Sequence, residues 1–222
     1  NTTREVARVL TSENKQSGTQ NWFILPISQE ENRYLAVQPT IQKDGYYYQA
    51  YYASYGFSFV NPDDKAYYVS MVDQNVAVYK EVVDVVPPST PVIIKGKSNV
   101  ADEHKITPFL TTPATVSGNR LSGTYFCSSV EGHINRVPVD ATIRVFGILS
   151  DGSLGFKKDA DLEYVPRDTA YLKVAADAPD EIKLMNEAEY NAWKEQERLK
   201  TPVTVKAVNI SRQYGDDNPA FT

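Results

Sequence analysis

Nucleophilic hydrolysis needs a Ser or Cys, a His base within hydrogen-bond reach, and an acid that orients the His. This chain holds two His, His104 and His133, and one Cys, Cys127. Both His stand in polar stretches, Asp102-Glu103-His104-Lys105 and Glu131-Gly132-His133-Ile134, which read as surface loops. No G-x-S-x-G elbow presents a serine. Cys127 follows Tyr125-Phe126 on an expected strand, where a thiol packs as a small apolar group. Glycoside hydrolysis asks for only two carboxylates, and 28 Asp plus Glu supply pairs at every spacing, so linear spacing singles out none. The acidic loops Asp151-Gly152-Ser153 and Lys158-Asp159-Ala160-Asp161 lack the D-x-D-x-D-G pattern with a Glu at its twelfth position, and Lys157 and Lys158 oppose a cation. They read as solvated turns. The sequence therefore predicts a non-enzymatic chain with no catalytic residue, no metal ligand and no cofactor.

Tyrosines are the residues left with a chemical role. The chain has 15 Tyr against 8 Phe, and six of them, Tyr46, Tyr47, Tyr48, Tyr51, Tyr52 and Tyr55, fall within ten residues. Tyr67, Tyr68 and Tyr79 follow closely. On a regular strand Tyr46, Tyr48 and Tyr52 share one face and Tyr47, Tyr51 and Tyr55 the other. A face turned to solvent would be a platform of flat, amphipathic rings that stacks on sugars or anchors a partner protein. The competing reading is structural, because Tyr is a favoured strand residue and forms good cross-strand pairs.

Strands must position those rings. Thirteen Pro and eleven Gly separate short runs rich in Val, Ile, Tyr and Thr, the pattern of an all-β chain. Expected strands are Trp22–Ile27, Arg33–Gln38, Tyr46–Tyr55, Ala66–Val72, Val76–Glu81, Pro91–Lys95, Leu121–Cys127, Thr142–Leu149, Leu154–Lys157 and Ala170–Val174. Asn61-Pro62-Asp63-Asp64, Ser117-Gly118-Asn119 and Asp151-Gly152 supply turns. With no long helix between these runs, the expectation is a two-layer antiparallel β-sandwich of about ten strands. One segment breaks the pattern. Asn186–Lys200 holds neither Gly nor Pro, opens on Asn186 with Glu189 at the capping-box position, and stops before Pro202. It predicts a helix with a narrow stripe of Met185, Ala188, Ala192 and Leu199, flanked by Tyr190 and Trp193.

Composition bounds the remaining classes. The chain has 222 residues, 41% hydrophobic and 23% charged, with a net charge of −5. That balance gives a folded core without disulfide staples and argues against a nucleic-acid partner, which needs clustered Lys and Arg. No apolar run approaches the roughly 20 residues of a membrane-spanning helix.

Three stretches resemble a known family. Val86-Pro87-Pro88-Ser89-Thr90-Pro91-Val92-Ile93-Ile94-Lys95, Ser117-Gly118-Asn119-Arg120-Leu121-Ser122-Gly123-Thr124, and Gly152-Ser153-Leu154-Gly155-Phe156 with Val165-Pro166-Arg167-Asp168-Thr169-Ala170-Tyr171-Leu172 occur in the order of a β domain recurrent in surface proteins of Bacteroides-type bacteria. That family's Asn-Lys pair before Ala170-Tyr171-Leu172 is absent here. The tail, Val203-Thr204-Val205-Lys206-Ala207 through Ser211-Arg212-Gln213-Tyr214-Gly215-Asp216-Asp217-Asn218-Pro219-Ala220-Phe221-Thr222, is similar to the opening strand and turn of an MBG-type repeat. The resemblance implies a piece of a long, exported, adhesin-like protein on the bacterial cell surface, acting as spacer or binding unit beside neighbouring domains. The alternative it leaves open is a carbohydrate-binding module of a surface glycan-utilisation system, using the Tyr-rich strand. Partners implied are a host or dietary glycan or a surface protein. The expected organisation is an extension or tail of a preceding module over 1–20, a β-sandwich over 21–184, a helical spacer over 185–201, and a truncated repeat over 202–222.

Overall fold

Short runs of β-branched and aromatic residues between turn formers fold as strands throughout the described residues. A computed structural model describes residues 35–109, 114–124 and 137–200. The expectations placed on 1–34 and 201–222, on Cys127 and on His133 lie outside the described residues. The strands are β1 (Leu35–Ala36), β2 (Ile41–Lys43), β3 (Tyr46–Tyr51), β4 (Gly56–Phe59), β5 (Lys65–Asp73), β6 (Val76–Val82) and β7 (Val92–Gly96). After a single 3-10 turn (Ala101–Glu103) follow β8 (Lys105–Phe109), β9 (Leu121–Thr124), β10 (Ile143–Ile148), β11 (Leu154–Lys157), β12 (Thr169–Lys173) and β13 (Glu181–Met185). The helix α1 (Glu187–Lys200) closes the described chain. The fold is all-β with one C-terminal helix, as the residue pattern predicts.

Four described strands escape the sequence pattern: β2, β4, β8 and β13. β2 and β8 are short and polar on one face, and β13 reads as charged. The expected strand Tyr46–Tyr55 is a strand only over its first six residues. β3 ends at Tyr51, where the next backbone N–H, that of Tyr52, leaves the ladder and donates to the Asp168 carbonyl at 3.1 Å. The chain then turns and re-enters as β4 in a different sheet.

Ten strands form one sheet in the order β2-β3-β7-β5-β6-β13-β11-β10-β12-β9, and β1-β8-β4 form a second. Every pair among the described residues is antiparallel except β6 with β13, where Lys183, Leu184 and Met185 lie beside Val76, Ala77 and Val78 in parallel. A parallel pair needs a long connection, and six strands lie between these two in sequence. The expectation of a purely antiparallel sandwich fails at this one seam.

That seam is where the large sheet folds over on itself. One buried cluster draws Ala50, Ile93, Val69 and Ala77 from β3, β7, β5 and β6, and Ile182, Phe156, Phe146 and Leu172 from β13, β11, β10 and β12. The two halves thus face each other across one apolar interior, as in a sandwich. The outer face of β3, β7 and β5 carries Tyr51, Val92, Ile94 and Ala66, and the small sheet covers it with Leu35, Phe57 and Ile106. On the outer face of β6 and β13, Val76 and Val78 are covered by Tyr190 of α1.

The helix forms as its ends predict. Asn186 Oδ1 accepts from the Glu189 backbone N–H at 2.9 Å, and Glu189 Oε2 accepts from the Asn186 N–H at 2.8 Å, a complete capping box. Glu187 and Glu189 lie in the first turn and Arg198 and Lys200 in the last, in favourable sense to the helix dipole. The buried contact is not the expected stripe. Tyr190 is the buried residue of α1, while Ala188, Ala192 and Leu199 are exposed. The ring reaches further than Ala and finds its partner for the hydroxyl in Asp73, at 2.6 Å.

Candidate functional site

Side chains two apart on a strand share a face. In β3 the even positions Tyr46, Tyr48 and Ala50 therefore point inward, and Ala50 joins the interior cluster. Register extends this face across the sheet. Tyr48 pairs with Lys95, Ala50 with Ile93, and Tyr67 with Ile93 on the other side. Tyr79 sits beside Val69 on β6. Tyr48 and Tyr67 pack against the interior cluster from its edge.

The second half of the sheet does not reach far enough to cover these rings. β13 stops at Met185, opposite Val78, so among the described residues the β6 backbone from Tyr79 onward has no strand on that side. The first half overhangs, and the overhang is a groove of about 540 Å³. Tyr48, Tyr67 and Tyr79 form its floor, and Trp193 and Ala192 of α1 line its wall. This volume is within the range of about 300–1,000 Å³ typical of small-ligand sites.

The rings are held in place. Tyr67 and Tyr79 meet edge to face with centroids 5.0 Å apart, a favourable quadrupole arrangement. Trp193 stacks on Tyr190 at 5.8 Å, and Tyr190 is fixed by burial on one side and Asp73 on the other. Lys194 Nζ donates to the Tyr190 hydroxyl at 2.8 Å. The wall is thus braced by a buried neighbour one turn away.

Partial burial pushes the phenols of Tyr48 and Tyr67 up to about 12 each. For Tyr48 the nearby Tyr79 and Asp44 add to the effect, and for Tyr67 Glu81 does. Burial also raises Tyr79, against a hydrogen bond with Asn186. All three hydroxyls stay protonated at any physiological pH and are free to donate as well as accept.

Charge frames the groove. Lys43 Nζ lies 3.2 Å from Asp44, Lys183 Nζ lies 3.0 Å from Asp151, and Lys95 Nζ sits 3.7 Å from the centre of the Tyr46 ring. Asp44 and Gly45 make the β2–β3 turn, both at positive φ (50° and 78°), the geometry that an Asp-Gly hairpin accepts.

The six tyrosines of the expected platform separate by this geometry. Tyr48 faces the groove, and Tyr46, half-buried on the same side of β3, lies under the Lys95 ammonium outside the lining. Tyr47 is half-buried on the opposite face. Tyr52 lies flat against Gly123, where an added Cβ would come within 2.2 Å of its ring. Tyr51 and Tyr55 are core residues, 3% and 1% exposed, with their hydroxyls 2.7 Å apart. Those two are corrected from platform to core: the small sheet covers the face of β3 that carries Tyr51, and Tyr55, past the end of β3, packs in the same cluster. Trp193, Lys95 and Tyr79 complete the groove from elsewhere, and no local spacing connects them to the Tyr run.

His104 is also corrected. It is buried, 1% exposed, not a surface loop residue. Its Nδ1 lies 2.8 Å from Asp64 Oδ1, and Ser98 Oγ lies 3.3 Å from Nε2, so Ser, His and Asp stand in line. Nε2 lies closer, at 2.8 Å, to the Ser98 carbonyl, which can only accept, so Nε2 carries a hydrogen and has no lone pair for the serine. Burial raises the Asp64 carboxyl, with the His104 hydrogen bond opposing, and the pair ties the start of β5 to the start of β8.

No known protein family, curated protein or solved structure matches the chain. What defines the molecule is therefore its own geometry: an all-β domain whose curled sheet leaves one end open as a groove of aromatic rings and lysines.

Proposed function

We propose that this chain is a non-enzymatic binding module of a bacterial cell-surface, adhesin-like protein, and that its groove seats a glycan. The observation that carries the reading is the overhang itself: three tyrosine rings and a braced tryptophan left uncovered on the inner face of a sheet. Sugar rings present apolar C–H faces and equatorial hydroxyls, and aromatic rings with protonated phenols complement both. The surface setting is supported by the resemblance to the Bacteroides-type β domain and the MBG-type tail. The non-enzymatic reading is supported by the engaged state of the ionisable groups: His104 is locked, Asp44 is paired with Lys43, and Glu189 is bound to the helix N-terminus.

A spacer role accompanies binding. Past Trp193, α1 is held by pairs within itself, Arg198 with Glu195 at 2.6 Å and Lys200 with Glu197 at 2.7 Å, and Leu199 stays 70% exposed. A helix that supplies its own surface pairs suits a connection between modules.

The test is a glycan-array screen followed by titration calorimetry. Trp193→Ala and Tyr48→Ala are each expected to weaken binding about tenfold, the worth of one stacked ring. A chain that binds no glycan, or whose binding ignores both substitutions, sinks the reading and leaves the spacer role alone.

A further inference from the structure

Each lysine at the open end has a carboxylate partner except one. Lys43 pairs with Asp44 at 3.2 Å, Lys65 with Glu81 at 3.2 Å, and Lys183 with Asp151 at 3.0 Å. Among the described residues no carboxylate oxygen comes within 4 Å of Lys95 Nζ. Lys95 is also the most central of the four. It lies on β7, third strand of the order, with Tyr48 beside it on β3 and Lys65 beside it on β5. By alternation with Ile93 it points to the inner face, and it lines the groove. The Tyr46 ring under its ammonium holds it in place without neutralising it. Glu189, the remaining groove carboxylate, is spent on the α1 cap and faces the positive end of the helix dipole.

We infer that the groove selects an anionic glycan, a pyranoside whose carboxylate or sulfate is received by Lys95 while its ring faces stack on the tyrosines and Trp193. This rests on the glycan-binding reading and adds the charge of the ligand to it. The argument is one of complement. A single unpaired cation among aromatic rings attracts a single negative charge carried on a ring-shaped body, and partial exclusion of water strengthens that attraction over its value at an open surface. Lysine is a compact point charge with three rotatable donors, so it fits either acid and does not demand the planar, two-pronged match of a guanidinium. An uncharged sugar would leave the ammonium beside the rings with no gain from its presence.

The experiment uses the full 222-residue chain and three probes: a galacturonate tetramer, its methyl-esterified neutral form, and a sulfated galactan tetramer. Calorimetry is run on the wild type, Lys95→Met and Trp193→Ala. One or both charged probes are expected to bind about tenfold tighter than the neutral one, and added salt should erode only that advantage. Lys95→Met should abolish the advantage of the charged probes over the neutral one. Two results overturn the inference while the glycan reading stands: equal binding of neutral and charged probes by the wild type, or a charge preference that survives Lys95→Met, with Trp193→Ala still weakening all. Absence of binding to all three probes overturns both together. Retained thermal unfolding of Lys95→Met verifies that a loss is local.

Discussion

Arg144 and Lys95 are both inward-pointing cations of the same ten-stranded sheet, and they meet opposite fates at its two ends. Arg144 alternates with Phe146 on β10 and is fully buried. Its Nε donates to the Pro179 carbonyl at 2.9 Å, Nη2 to Ala178 at 2.8 Å, and Nη1 to Ala141 at 2.8 Å and Ile143 at 3.0 Å. The loop before β13 is thereby folded across that end of the interior. At the other end of β13 no described residue forms such a loop, and Lys95 lies among rings with no carboxylate of the described residues against its ammonium. The contrast teaches where chemistry remains available. A guanidinium whose donors are spent on backbone carbonyls is structure, since every acceptor it satisfies would otherwise be orphaned. A lysine on the same face, lacking acceptors, is an invitation to a ligand.

The largest expected effect breaks the closed end. Arg144→Met keeps the apolar stem but removes the donors to Pro179, Ala178 and Ala141. Hydrogen bonds to a charged donor are worth about 1.5–3 kcal/mol each, and three part-buried ones are lost, so a stability loss of about 4 kcal/mol is expected. Urea unfolding measures it directly. A loss below about 1 kcal/mol would mean that water replaces the guanidinium and that this end is as open as the other.

How much of this contrast is legible in the sequence depends on the range of the interactions. The helix ends are local, and Asn186 with Glu189 announces the capping box. The alternation of Val76, Val78 and their neighbours announces β6 in the same way. The Asp44-Gly45 turn is a hairpin signal too, and it was the means by which β2 could have been found. The groove is another matter. It exists because β13 ends at Met185 beside a strand seven places earlier, and a parallel seam has no hairpin to reveal it. The Tyr run misleads for a related reason: Tyr51 and Tyr55 share a composition with Tyr46 and Tyr48 but lie under a sheet that only the fold brings there. His104 sits among charged neighbours, and its partner Asp64 is 40 residues away, so nothing local marks it as buried.

A second contact between the two halves, where the start of β12 meets the end of β3, titrates. Asp168 begins the return of the chain toward β3, where its carbonyl receives the Tyr52 N–H. Burial pushes its carboxyl from 3.8 up to about 7, with Arg167 opposing. The folded state therefore holds a proton that the unfolded chain has released. Its stabilising effect is complete below about pH 4, declines as pH rises, and is gone above about pH 7. Discounted for partial solvent access, the span is about 2 kcal/mol. Asp168→Asn mimics the neutral acid and tolerates the local φ of 53°. It should raise stability by about 2 kcal/mol at pH 8 and leave it unchanged at pH 4. Urea midpoints at the two pH values give the answer, and an equal shift at both would assign the effect to something other than this proton.

The smallest expected effect is the one that sharpens the comparison most. If Lys95 is held for a ligand and Arg144 for the fold, removing the charge at position 95 should hardly touch stability. The ammonium has no carboxylate to lose, and its contact with the Tyr46 ring is worth about 0.5–1 kcal/mol at a solvated site. Part of that returns when the Met side chain packs on the same ring, since a thioether also favours aromatic contact. The net change in Lys95→Met is therefore expected within about 0.5 kcal/mol, against the several lost in Arg144→Met. Both variants belong in one urea series at one pH, so that the ratio and not the absolute values decides. A loss at position 95 above about 2 kcal/mol would place Lys95 with Arg144 as a structural cation. The open end would then be open in shape only, with its charge already used by the fold.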